Sequence, residues 1–192
     1  DLWAAHLAMT PKRPQYFEVL LRLRASDGEL VAPNAFLPTA ERYNLMLDID
    51  KWVVHNALKS LRDASSGQQI VGLSINLSAQ SLGINGIGKY VQDKLIEFNI
   101  DGSKITFEIT ETRALNNIEA TAELIQQLRA LGCRFALDDF GSGFASYAYL
   151  RELPLDLLKI DGTFISGIEN DSINQTMVRS MVQIARKLGL QT

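Results

Sequence analysis

Lys104-Ile105-Thr106-Phe107-Glu108-Ile109 is a short apolar run, and Arg134-Phe135-Ala136-Leu137 is another. Between them Ile118, Ala122, Ile125, Leu128 and Leu131 recur at helical spacing, and Gly132 follows as a left-handed cap. Strand, helix, strand is the order this stretch spells, and the alternation continues on either side. Further strand candidates run from Tyr16 to Leu23, from Ile70 to Asn76 and from Leu157 to Ile160. One more helical stripe consists of Ile49, Trp52, Val53, Ala57 and Leu61. Another, of Ile173, Met177, Met181, Ile184 and Leu188, precedes Gly189, with Asp171 or Ser172 placed to cap its start. Its methionines read as core, and Ser65-Ser66-Gly67 marks an exposed loop. Short strands of this composition between helices predict a largely parallel sheet. Either an open doubly wound sheet or a closed β/α barrel would satisfy it. No glycine-rich phosphate loop follows an early strand, which favours the α/β barrel.

The chain has 192 residues, 46% hydrophobic and 21% charged, and reads as one globular domain over residues 1–192 with a core to bury. A formal net charge of -3 argues against a partner that is a nucleic-acid polymer, which selects clustered Lys and Arg, but leaves a small phosphate ligand open. The one cysteine, Cys133, excludes an internal disulfide. It lies in an apolar run and reads as a buried, inert thiol in a reducing, cytoplasmic setting. No apolar stretch approaches the ~20 residues that cross a bilayer, and the N-terminus carries no signal-peptide pattern. This segment is therefore expected to make no membrane contact, whether or not a parent protein is anchored.

In a β/α barrel the reactive groups sit where strands end. In Glu18-Val19-Leu20-Leu21-Arg22 the two-residue period puts Glu18, Leu20 and Arg22 on one strand face, an acid beside a base. Asn76 closes one strand, Glu108 and Glu111 bracket the end of the next, Asp138-Asp139 follow Leu137, and Lys159 and Asp161 share a face near the last. Hard oxygen donors from separate strands, with an amide among them, suit Mg2+ or Mn2+, and no His or Cys cluster competes for zinc. Asp138 and Asp139 could serve two metals, or one could bind metal while the other receives a nucleophilic water. Arg22 and Lys159 are cations suited to phosphate charge, and Lys159 could hold or polarise the attacking water. Each acid taken alone has a plain alternative as a helix cap or solvated ion pair. His6 and His55 have no partner at ligand spacing and receive no role.

Glu18-Val19-Leu20-Leu21-Arg22 resembles the Glu-x-Leu-x-Arg signature of the EAL family, with Val in place of the naming Ala. Ser74-Ile75-Asn76-Leu77-Ser78, Glu108-Ile109-Thr110-Glu111, Asp138-Asp139-Phe140-Gly141-Ser142-Gly143 and Leu158-Lys159-Ile160-Asp161 follow in the family's order. The resemblance implies a TIM-like barrel that hydrolyses cyclic di-GMP to linear pGpG with Mg2+ or Mn2+, in bacterial second-messenger signalling. By it, Glu18, Asn76, Glu108 and Asp138 would ligate one metal, and Asp139 and Asp161 would help hold a second. Lys159 would contact the catalytic water, with Glu18 and Asp139 also catalytic, while Arg22 and Asp139 would bind substrate. Glu111 would anchor the loop from Asp139 to Phe144. The resemblance also implies a homodimer through such domains and, in a parent chain, an attached GGDEF or sensory domain.

Phe144 replaces a frequent Tyr. Leu2-Trp3-Ala4-Ala5-His6-Leu7 stands where the family reads Gln-Pro-Ile, so a substrate-facing Gln is expected to be missing, with Ala5 in its neighbourhood. The family continues past the position of Thr192 into strands that supply another catalytic Glu and a further Gln. The barrel is therefore expected to be incomplete, since a whole one takes roughly 250 residues. Two other readings stand beside the enzyme: a catalytically silent cyclic di-GMP receptor, and a barrel lyase using Lys159 as a Schiff base.

Overall fold

The computed structural model describes residues 15–64, 70–82, 86–143 and 147–192. The expectations for residues 2–7, His6, the loop at Ser65-Ser66-Gly67 and Phe144 lie outside these described residues.

Five strands form one parallel sheet: β1 (Gln15–Val19), then across a two-strand hairpin of β2 (Leu23–Arg24) and β3 (Leu30–Val31) to β4 (Ile70–Asn76), β5 (Ile105–Thr110), β6 (Arg134–Phe140) and β7 (Leu157–Ile160). The helices are α1 (Pro33–Arg42), α2 (Met46–Ala64), α3 (Ala79–Leu82), α4 (Ile87–Phe98), α5 (Glu111–Asn116), α6 (Ile118–Ala130), α7 (Gly162–Ile165) and α8 (Ser172–Lys187). The sheet order is β1-β4-β5-β6-β7, which follows the chain without reversal. A doubly wound sheet reverses its strand order at a switch point; an order that only advances is that of a β/α barrel, here seen as an open arc.

The composition explains the layering. Every residue of β5 except Thr110 is buried, because a parallel strand between helices has both faces covered. Ile75, Ile105, Phe107, Ile109, Phe135 and Leu137 are each no more than 1% exposed, and the Phe107 and Phe135 rings lie 6.1 Å apart. The α2 stripe packs as expected, with Val53, Ala57 and Leu61 buried and Ile49 and Trp52 against the core. In α6, Ile125 and Leu128 are fully buried. The side chain of Asn117 accepts from the Ala120 N–H at the helix start, and Gly132 takes the left-handed conformation past its end, at φ +86°. Asp171 caps α8, accepting from the N–H groups of Ile173 and Asn174 at 2.9 Å each, and Gly189 turns the chain at φ +76°.

Four expectations change. The first strand stops at Val19 instead of reaching Leu23, and the chain then feeds the antiparallel β2–β3 pair. The strand period therefore does not carry Glu18, Leu20 and Arg22 on one face; Leu20 is 51% exposed. Lys104 belongs to a tight turn at Gly102–Lys104, and the strand begins one residue later. The strand at Arg134 runs on to Phe140, so Asp138 and Asp139 lie within it, where the register with β7 shifts between Leu137 and Phe140. The α8 stripe is only partly core: Met181 is 1% exposed, but Ile173 is 70% and Met177 39% exposed. A stripe read from spacing shows which face is apolar, not how much of its length finds a partner.

Cys133 is buried, and burial pushes its thiol up to about 12. The folded protein is expected to resist a thiolate-trapping disulfide reagent at pH 8 and to react stoichiometrically once denatured; rapid reaction of the native protein would contradict this packing. Phe107→Ala should cost about 3–5 kcal/mol in urea unfolding, the usual range for emptying a buried phenylalanine site.

Candidate active site

Because the sheet is parallel, the carboxyl ends of β1, β4, β5, β6 and β7 form one rim. The register sets neighbours across it: Glu18 pairs with Ser74, Asn76 with Glu108, and Thr110 with Asp138. At this rim Lys159 Nζ lies 2.5 Å from Glu108 Oε2, 3.2 Å from Asp138 Oδ2 and 3.8 Å from Glu18 Oε2. The Asn76 amide donates to Glu18 Oε1 at 3.0 Å. Four strands thus bring three carboxylates and an amide around one ammonium, with Asn76 at the end of β4 and Lys159 on β7.

Three carboxylates face one ammonium, so acidic groups outnumber the basic one at this rim. Burial, the largest influence, raises Glu108 above the ordinary glutamate range; its bonds to Lys159 and Ser74 oppose this, and the nearby Glu18 charge adds to it. Burial works against the Lys159 charge, but the Glu108, Asp138 and Glu18 carboxylates outweigh it and hold the ammonium well above the usual lysine range. Asp139 is raised by burial and then by the charges of Asp138 and Asp161, which places these three acids close enough to repel. Asp161 is lowered, because its carboxylate accepts from the hydroxyl and the N–H of Thr163 at the start of α7.

Asp139 has φ +54°, a left-handed conformation uncommon for a side-chain-bearing residue, and its N–H donates to Asp138 Oδ1 at 3.0 Å. This kink interrupts the strand alternation where two acids stand in sequence. The turn after it is tied down by Glu111, which is 1% exposed and accepts from the N–H groups of Gly141 at 2.9 Å and Gly143 at 3.3 Å. Glu111 is thus bonded to the loop it was expected to anchor.

Arg22 is not drawn into the cluster: its guanidinium donates to the Leu21 carbonyl at 2.7 Å. Sequence reasoning missed the supports behind the rim. Asp50, a buried acid on α2, accepts from the Ser78 N–H at 2.9 Å and from the Ser81 hydroxyl at 2.6 Å, fixing the backbone just past Asn76. Burial raises its pKa. Its placement inside the α2 apolar stripe, between Ile49 and Val53, was the available signal. Tyr149 was also missed. Two concavities, one of about 820 Å3 between Arg129, Arg151 and Gln191 and one of about 1020 Å3 between α8 and the Tyr147–Arg151 turn, contain none of the rim acids.

Among the described residues no three acids, histidines or cysteines stand at metal-ligand spacing, and Lys159 lies among Glu18, Glu108 and Asp138. The donor chemistry nonetheless fits a hard divalent cation: all donors are oxygens, and acidic groups outnumber the basic one.

A β/α barrel arc with its acids gathered at the strand ends has the layout in which barrel proteins place their sites. The EAL domain model matches residues 7–192, and the chain belongs to the EAL family, whose phosphodiesterases are generally metal-dependent. It is 44% identical over 186 residues to the cyclic di-GMP phosphodiesterase PdeB of Shewanella oneidensis, covering 97% of this chain and 22% of that protein. The structure of the MucR phosphodiesterase of Pseudomonas aeruginosa in complex with cyclic di-GMP superposes with a TM-score of 0.82 at 33% identity, covering 90% of this chain and 70% of that one. The FimX EAL domain from Pseudomonas aeruginosa, bound to cyclic di-GMP, gives 0.83 at 29% identity, covering 90% and 69%. The chain spans about a quarter of the length of the curated relatives it matches. No helix among the described residues is long and apolar enough to cross a membrane.

Lys159→Met removes the one cation from the buried Glu108 carboxylate. It should lower metal-free stability at pH 7 by about 1–3 kcal/mol, less than a fully buried pair because Lys159 is 36% exposed. The sign is set by Glu108: its raised pKa means that the carboxyl becomes neutral as the pH falls through that value, and the pairing with Lys159 goes with its charge. The gap between variant and parent in urea unfolding should therefore narrow at about pH 4; a gap that widens there would contradict the assignment.

Proposed function

We propose that this domain hydrolyses one phosphodiester of cyclic di-GMP to give linear pGpG. The observation that carries the proposal is the set of carboxylates from β1, β5 and β6 gathered on Lys159 at one rim, in a chain of the EAL family.

In this reading Glu18, Asn76, Glu108 and Asp138 hold one Mg2+ or Mn2+, and Asp139 and Asp161 contribute to a second. When bound, the ions supply positive charge to the attacking water and the phosphodiester. Lys159 is held protonated, so it serves as a hydrogen-bond donor and positive charge beside the water, not as the base that takes its proton. That proton goes to a carboxylate, a role this reading gives to Asp139, and the ribose oxygen that leaves as the P–O bond breaks takes up a proton from solvent. Arg22, at the end of the segment that follows β1, binds a substrate phosphate. Residues 1–192 belong to a single EAL domain whose C-terminal part they lack, in a cytoplasmic signalling protein that acts as a homodimer, with further domains attached in the parent.

Incubating cyclic di-GMP and Mg2+ with the whole protein that carries these residues, and separating the products by chromatography, tests the proposal. Conversion to pGpG is expected, with Glu18→Ala and Lys159→Ala each slowing it by on the order of 100-fold or more. Calorimetry should show Mn2+ affinity falling in Glu18→Ala and Asp138→Ala. Intact nucleotide despite measurable binding would make the domain a receptor.

A further inference from the structure

Tyr149 lies in the turn Tyr147–Arg151 and is 4% exposed. Its hydroxyl donates to Glu111 Oε1 at 2.5 Å, while Glu111 Oε2 accepts the two loop N–H groups of Gly141 and Gly143. No Lys, Arg or His among the described residues forms an ion pair with this buried carboxylate. Among the described residues three neutral donors meet this carboxylate, and Tyr149 supplies the side-chain one. Burial, and then the Glu111 carboxylate beside it, hold the phenol far above its usual range, so it remains a donor wherever the protein is folded.

The loop that Glu111 holds begins at the kinked Asp139. The Ser142 hydroxyl and N–H both donate to the Asp139 carbonyl, at 2.7 and 3.2 Å. On the other side, Gly141 has φ +96°, and a Cβ there would come within 2.5 Å of the Met181 methyl and 2.9 Å of the Phe164 ring. The loop is thus pressed against α7 and α8 and tied back by one carboxylate. Both of its oxygens are engaged, Oε2 by the turn and Oε1 by Tyr149.

We propose that Tyr149 is a positioning residue of the site: its hydroxyl orients Glu111, which holds the Asp139–Gly143 turn and thereby fixes Asp138 and Asp139 at the rim. The proposal rests on the phosphodiesterase reading for its consequence in catalysis, while its geometric part stands apart from that reading. Phenylalanine fills the same space and lacks only the hydroxyl, so it separates orientation of Glu111 from packing.

The test compares Tyr149→Phe with Leu153→Ala, which weakens the packing after the same turn without removing a donor from Glu111. Amide exchange at Gly141 and Gly143, Mn2+ affinity by calorimetry, and steady-state hydrolysis of cyclic di-GMP are measured on the whole protein. In folded Tyr149→Phe both amides should exchange about tenfold faster or more. Mn2+ affinity should fall by several-fold, less than the ~10- to 100-fold that follows loss of a hydrogen bond made directly to a metal ligand, because Tyr149 acts through Glu111 and the turn. kcat should fall with it while KM changes less. Leu153→Ala should lower the melting temperature with Mn2+ affinity retained. Unchanged exchange and affinity in Tyr149→Phe, or an equal loss of affinity in both variants, would overturn the proposal. If the parent protein neither binds Mn2+ nor hydrolyses the nucleotide, the phosphodiesterase reading fails, and exchange at Gly141 and Gly143 still decides the link from Tyr149 to the loop.

Discussion

A single ammonium, Lys159 Nζ, stands between carboxylates delivered by three strands, and the parallel register of those strands decides how closely they approach it. Antiparallel neighbours would send alternate strand ends to opposite edges. With all five strands parallel, the distance between adjacent strands, about 4.8 Å, becomes the spacing of the reactive groups. The cost is a concentration of like charge in a partly buried place. One lysine offsets only part of it, and the remainder adds to the burial that chiefly raises the pKa values of Glu108 and Asp139.

That remainder is what makes the rim useful. A site whose acids were each neutralised within the protein would have little affinity to offer a cation. Here the scaffold leaves a deficit, and the supporting hydrogen bonds keep the acids from relieving it by moving away. Asp50 fixes the backbone after Asn76, Thr163 holds Asp161, and Glu111 holds the turn after Asp139. Fold stability and site charge are therefore in tension at one edge of the sheet, with the phenylalanine-rich core beneath supplying the surplus.

Much of this was legible in the sequence. The strand–helix–strand alternation around Phe107 and Phe135 led to the parallel sheet, and of the acids placed at strand ends Glu18, Glu108 and Asp138 meet Lys159, whereas Glu111 bonds to the turn after Asp139 and Asp161 to Thr163. What failed was extrapolation of a period past the point where the backbone keeps it. A two-residue repeat from Glu18 to Arg22 assumes an unbroken strand, but the chain leaves the sheet at Val19 to build the small β2–β3 pair. The α8 stripe failed for a different reason, since Ile173 and Met177 match the helical period and still lie largely in solvent. The partners of Asp50 and Tyr149 were not legible because each bonds to a residue distant in the chain, and only the position of Asp50 within an apolar stripe hinted that it is buried.

The two ways in which this rim holds its negative charges differ in kind. Glu111 is satisfied by backbone amides and a phenol, deep enough that dissolved ions do not reach it. The Lys159 hub is 36% exposed, so mobile counterions compete with its pairings. Raising ionic strength thus weakens attraction at the hub while leaving the turn that carries Asp139 as rigid as before. The molecule separates a screenable charge balance from an unscreenable frame, and the salt content of its surroundings acts on the first alone.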